Sequence, residues 1–146
     1  MAIVSRVLDA MQPLRRPRLW LGLWLGMIAG VVVVSLIPPP LLPAVAFDGI
    51  DKVEHVLGYF ALSAMGSALF ARMRTRARIA AGLVALGIGL EIAQGQFTAM
   101  RQPELLDAAA NTVGVLLGCL GTIWAGALQR VDRRLARALG GTMPKP

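Results

Sequence analysis

The chain has 146 residues, 56% of them hydrophobic and only 16% charged, with a mean hydropathy of +0.65. A soluble domain carries about 25% charged residues, so an ordinary water-covered globule is excluded and lipid is the expected solvent for much of the surface. The net charge of +7 would suit a nucleic-acid binder, but the arginines sit in three blocks at the ends of apolar runs without interleaved aromatics, a layout of membrane topology.

The length fits one domain, residues 1–146. The first stretch, AIVSRVLDAMQPL, places Ile3, Val4, Val7, Leu8 and Met11 at helical spacing and reads as an amphipathic helix lying on the membrane surface. Four apolar runs follow, at about 19–37, 53–71, 79–100 and 108–129, each close to the roughly 20 residues a helix needs to cross the hydrocarbon core. The first run is too long for a signal-peptide core and ends in Pro38-Pro39-Pro40 instead of a small-residue cleavage motif, so it is expected to be retained. After the fourth run, QRVDRRLARALG sets Val131, Leu135 and Leu139 on one stripe against the arginines, a second interfacial helix. The expected fold class is an all-α membrane protein with four transmembrane helices.

Charge orients the threading. Arg6, Arg15, Arg16 and Arg18 precede the first span, Arg72, Arg74, Arg76 and Arg78 separate the second from the third, and Arg130, Arg133, Arg134, Arg137 and Lys145 follow the fourth. The other two loops hold only Lys52 and Arg101 as bases. Basic short loops stay cytoplasmic, so both termini are expected inside, in a bacterial cytoplasmic (inner) membrane. Gly22, Gly26 and Gly30 on the first span, and Gly114 and Gly118 on the fourth, form small-residue stripes that let helices approach closely. Packing within the chain is the default expectation, with a second copy or a membrane-protein partner as the other option. Cys119 stands alone, so no internal disulfide forms, and it reads as a small packing residue.

This threading collects the unusual polar groups at the outward end of three consecutive helices. IDKVEHVLGYF opens the second span with Asp51, Lys52, Glu54 and His55; GLEIAQGQF brings Glu91 and Gln94 late in the third; Arg101 follows; and LLDAAANTVG opens the fourth with Asp107 and Asn111. At helical rise Glu91 lies about 13 Å inside the outer end, Gln94 about 9 Å, Asn111 about 5 Å and His55 about 3 Å. A funnel is expected, with Glu91 at its floor and His55, Asp107 and Arg101 near its rim. Asp51 and His55 are four apart, as are Asp107 and Asn111, so each pair shares a helix face.

Plainer roles exist for most of these groups. Asp51 with Glu54 resembles a capping arrangement, Asp107 suits a cap of the fourth helix, Lys52 suits snorkelling, Arg101 suits a helix end, and Gln94 and Asn111 suit interhelical hydrogen bonds. Glu91 is different, because a charge well inside a span costs at least about 2.5 kcal/mol on insertion scales and marks a functional site by default. One His and no open-site motif give no reason to assign a metal, although His55, Asp107 and Glu91 are ligand types, and no cofactor is expected.

The order Asp51-Lys52-x-x-His55, Glu91-x-x-Gln94, Arg101, Asp107-x-x-x-Asn111-x-x-Gly114 resembles the VanZ-like family of small bacterial membrane proteins over roughly residues 48 to 121. The proline often found before the arginine in that family is missing from Phe97-Thr98-Ala99-Met100-Arg101. The resemblance implies a polytopic envelope protein, and more loosely a link to teicoplanin-type lipoglycopeptide resistance. Three functions fit the residues. In the first, the site binds the headgroup of a lipid or lipid-linked envelope component through Asp51, Lys52, His55, Glu91, Gln94, Arg101, Asp107 and Asn111. In the second, a membrane enzyme uses Glu91 and His55 as an acid/base pair; Ser35, Ser63 and Ser67 lack the context of a nucleophile elbow. In the third, a scaffold subunit packs partners through the glycine stripes.

Overall fold

The computed structural model describes residues 2–37, 50–97 and 105–139, all helical apart from short connections. Six α-helices run α1 Ala2–Asp9, α2 Pro17–Leu36, α3 Ile50–Leu69, α4 Met73–Phe97, α5 Leu105–Gly118 and α6 Ala125–Ala138, with a 3-10 segment, Cys119–Trp124, joining the last two. Three stretches are long and apolar enough to cross a membrane: Pro17–Leu36, Met73–Gln96 and the continuous run Leu105–Ala138.

The second expected span is α3, and it is less apolar than those three for a structural reason. It is the central helix, touching α2, α4, α5, the 3-10 segment and α6. Tyr59, Leu62, Ser63, Gly66, Ser67 and Leu69 are all buried on it. A helix wrapped by protein has no need of an apolar surface all round, and its serines find partners: the Ser63 hydroxyl donates to the Val115 carbonyl at 2.7 Å. By contrast α2 buries only Trp24, whose indole N–H donates to the Leu62 carbonyl at 2.9 Å.

The two glycine stripes meet different fates. On α5, a Cβ at Gly118 would lie 2.5 Å from Ser63 Cβ and 2.6 Å from the Phe60 carbonyl oxygen, while one at Gly114 would strike the Val56 carbonyl. Gly121 continues the seam against Ala64. The backbones of α3 and α5 therefore touch, and Gly114 and Gly118 are used inside the chain. On α2, by contrast, a Cβ at Gly22, Gly26 or Gly30 would meet nothing within 4 Å among the described residues, so no intrachain partner for that stripe is found there.

Helix boundaries also depart from expectation. The α4 helix starts at Met73 instead of 79, taking Arg74, Arg76 and Arg78 into its first turns. Asp51 is not a cap, because α3 reaches back to Ile50; its carboxylate lies in the first turn and pairs with Lys52 at 3.1 Å. Asp107 likewise lies inside the first turn of α5, which opens at Leu105.

The arginine-bearing end is closed by an acid. Asp132 of α6, 1% exposed, accepts hydrogen bonds from the backbone N–H of Arg15 (2.5 Å) and Arg16 (3.2 Å) and from the Trp20 indole (2.8 Å). These amides lie just ahead of α2, so the carboxylate pins the entry of α2 to α6 and sits at the positive end of its dipole. The face of α6 turned to the bundle runs through Leu128 and Asp132, with Leu128 and Leu135 half-buried, while Val131 and Leu139 are exposed on the other side. The segment after α1 is held too: Met11 is buried against Leu69, Phe70 and Trp24, and Gln12 N–H donates to the Leu69 carbonyl at 2.7 Å.

Candidate functional site

At the opposite end, α3, α4 and α5 bring their polar residues together. His55 and Asn111 meet across the glycine seam, with Nδ1 and Oδ1 3.0 Å apart. The contact fixes the ring against α5, with Nδ1 on the Asn111 side and Nε2 on the other edge. Glu91 Oε1 lies 3.9 Å from Nδ1, and Asp107 Oδ2 lies 3.9 Å from Nε2. Lys52 stands at the rim, its ammonium 3.3 Å from Asp107 Oδ1 and 3.1 Å from Asp51 Oδ2.

Glycine makes this convergence accessible to the backbone. On α4, a Cβ at Gly87 would come within 3.1 Å of Asn111 Cβ and 3.3 Å of the Tyr59 ring. Glu91 follows one turn later and so reaches the same cluster. Glu91, Gln94 and Asn111 are all buried, at 5%, 3% and 2% exposed, whereas the side chains of His55 and Asp107 are partly exposed and that of Lys52 is 34% exposed. One donor atom from each of His55, Glu91 and Asp107 fits within 4.8 Å of the others. Two carboxylates that close repel by about 3 to 4 kcal/mol at an effective dielectric near 20, a cost that the Lys52 ammonium beside Asp107 offsets in part.

Gln94 takes a different part. Its amide donates to the Ser35 carbonyl at 2.7 Å, fastening α4 to the last turn of α2. Arg101, expected at the rim, lies outside the described residues.

Tyr59 belongs to the site and was not singled out from the sequence. It is 2% exposed, sits one turn below His55 on the same face, lies within electrostatic reach of Glu91, and its hydroxyl has no hydrogen-bond partner among the described residues. Its signal was the spacing, four residues after His55 and four before Ser63. Asp132 also escaped notice, though it lies four residues after Leu128 and three before Leu135, on what is otherwise an apolar stripe.

A cleft of about 400 Å³ opens between α2 and α3 beside the cluster. Glu54, His55 and Tyr59 line it with Val31, Val34 and Leu62. It thus joins ionisable groups to a hydrocarbon wall. Comparison of the chain with family models, with curated proteins and with solved structures finds no match.

Proposed function

We propose that the chain is a VanZ-like protein of the bacterial cytoplasmic membrane, with α2, α3, α4 and the α5–α6 run as four spans and both termini inside, and that its outward polar end binds an amphiphile headgroup. The topology rests on charge. All three arginine blocks gather at the end closed by Asp132, and short basic segments remain cytoplasmic.

The amphipathic cleft is the observation that carries the binding reading. A lipid or lipid-linked envelope component has an anionic or polar head and an acyl tail. Its head fits the cluster of Lys52, His55, Glu91, Asp107 and Asn111, while its tail lies along Val31, Val34 and Leu62. Lys52, a third exposed at the rim, supplies the charge that meets a phosphate or carboxylate. A protein that sequesters or presents such a component would act in envelope homeostasis or in lipoglycopeptide resistance.

Acid/base catalysis is the second reading. It draws on the 3.9 Å approach of His55 to Glu91, but the nearer partner of the same nitrogen is Asn111, which orients the ring more than it moves a proton.

The cleft offers a clean test. Gly58 lines the cleft, and a Cβ there would meet nothing within 4 Å among the described residues, so Gly58→Phe is designed to obstruct the cleft, with the melting temperature measured beside it to check the fold. The protein is extracted into native-lipid discs and its retained small molecules are measured by mass spectrometry. The wild type should be enriched in one lipid class that Gly58→Phe and Lys52→Ala lose; equal bulk lipid in all three would refute the reading.

A further inference from the structure

We infer that His55, Glu91 and Asp107 form a binding site for one divalent transition-metal ion. Four observations support it, and none involves the amphiphile.

The donors are already convergent. An ion bonded at about 2.1 Å holds neighbouring ligands about 3.4 Å apart in a tetrahedron. Here Asp107 Oδ2 stands 3.9 Å from His55 Nε2, and the three ligand atoms fit within 4.8 Å. Side-chain rotations of under about an ångström complete the geometry at such distances.

The imidazole is also prepared for a metal. Metal-bound histidines donate their second ring N–H to a carbonyl or carboxylate, which fixes the tautomer and aims the lone pair. Asn111 Oδ1, on a residue 2% exposed, stands 3.0 Å from Nδ1 where such a partner belongs, and Nε2 lies 3.9 Å from Asp107 Oδ2. Lys52 is the corresponding outer partner of Asp107. It pairs with Oδ1 and leaves Oδ2, the oxygen facing His55, for coordination.

One polar atom points to something else at the centre. The Tyr59 hydroxyl, on a side chain 2% exposed, has no hydrogen-bond partner among the described residues and lies in the field of Glu91. A buried phenol is ordinarily satisfied, and a water or anion on the ion would satisfy this one. Three protein ligands leave such a position open.

The donor set selects the ion. One imidazole and two carboxylates suit Mn²⁺, Fe²⁺ or Zn²⁺ better than Mg²⁺ or Ca²⁺, which prefer all-oxygen shells. The two carboxylate charges balance the ion, as a site this far from water requires.

The test uses the full chain purified in maltoside micelles, which contain no phosphate, stripped with chelator and titrated with Mn²⁺. Electron paramagnetic resonance counts the free ion, and spin-echo modulation detects a directly bound ¹⁴N. One Mn²⁺ per chain with ¹⁴N modulation is expected. His55→Gln should abolish the modulation, and Glu91→Gln and Asp107→Asn should each weaken binding at least about tenfold. No binding beyond that of empty micelles, or bound Mn²⁺ without ¹⁴N modulation in the wild type, would overturn the inference. The wild-type signal decides the matter even if a variant misfolds. Lipid retention is measured separately, so either reading can fail while the other stands.

Discussion

The two ends of the bundle each bury carboxylates, and they use them in opposite ways. At the arginine end, Asp132 is met by three N–H donors, two of them backbone amides at the mouth of α2 and one a tryptophan indole. Every donor comes from a fixed position, and nothing about the arrangement calls for a ligand. At the other end, Glu91 and Asp107 stand on either side of a histidine, each 3.9 Å from it, and the buried Tyr59 hydroxyl nearby has no hydrogen-bond partner among the described residues. The first pattern holds helices together. The second retains ionisable groups at close quarters where hydrocarbon makes them costly, which is the arrangement expected of a binding site.

Substitutions sharpen this contrast. The largest effect is expected from Gly118→Val, because its side chain must displace the α3 backbone on the seam that both ends share. Overpacking of this kind costs about 3 kcal/mol or more, and folded yield in detergent should collapse together with any ligand retention. Asp132→Ala comes next. It strips three donors of a charged acceptor, a loss of about 2 to 4 kcal/mol, and should lower the melting temperature while leaving the polar cluster able to bind. Trp20→Phe removes one of those donors and keeps the ring's packing, so about 1 kcal/mol is expected from the same melting experiment. Gly26→Ala should be the mildest, within about 0.5 kcal/mol, since its Cβ would project into open space. A large loss there, read in dilute detergent against a crowded membrane, would reveal a partner on the α2 stripe.

Much of this contrast was legible in the residues. The periodicity of apolar runs located α2 and α4, the three arginine blocks marked one end, and the spacing of Asp51 with His55 and Asp107 with Asn111 placed the cluster on shared faces. Counting residues along helices put Glu91 below His55 and Lys52, and it is the more buried, but Asn111 is buried as well because it faces α3 and α4 and not for its depth. What was not legible depends on contacts distant in sequence. Asp132 binds amides 116 and 117 residues away, so in its own neighbourhood it looks like one solvated acid among arginines. Periodicity found the stripe of Val131, Leu135 and Leu139, and gave no sign that the bundle would take the face of Leu128 and Asp132. The glycines of α2 and α5 carry the same spacing, yet only those of α5 find a backbone to touch, because a stripe specifies closeness and not the partner. Tyr59 was hidden by its ambiguity: four residues below His55 on a buried helix, an aromatic reads as core until its hydroxyl is seen to lack an acceptor.

The most direct test of the contrast compares Glu91→Gln with Asp132→Asn in one preparation, reading thermal unfolding in detergent and retained lipid in native-lipid discs. Glu91→Gln, nearly isosteric, should melt closer to the wild type than Asp132→Asn does and lose its enriched lipid, while Asp132→Asn should melt markedly earlier and keep it. If Glu91→Gln instead destabilises the bundle as strongly as Asp132→Asn and retains the same lipid, the polar end is structural glue like the arginine end, and the binding site is refuted.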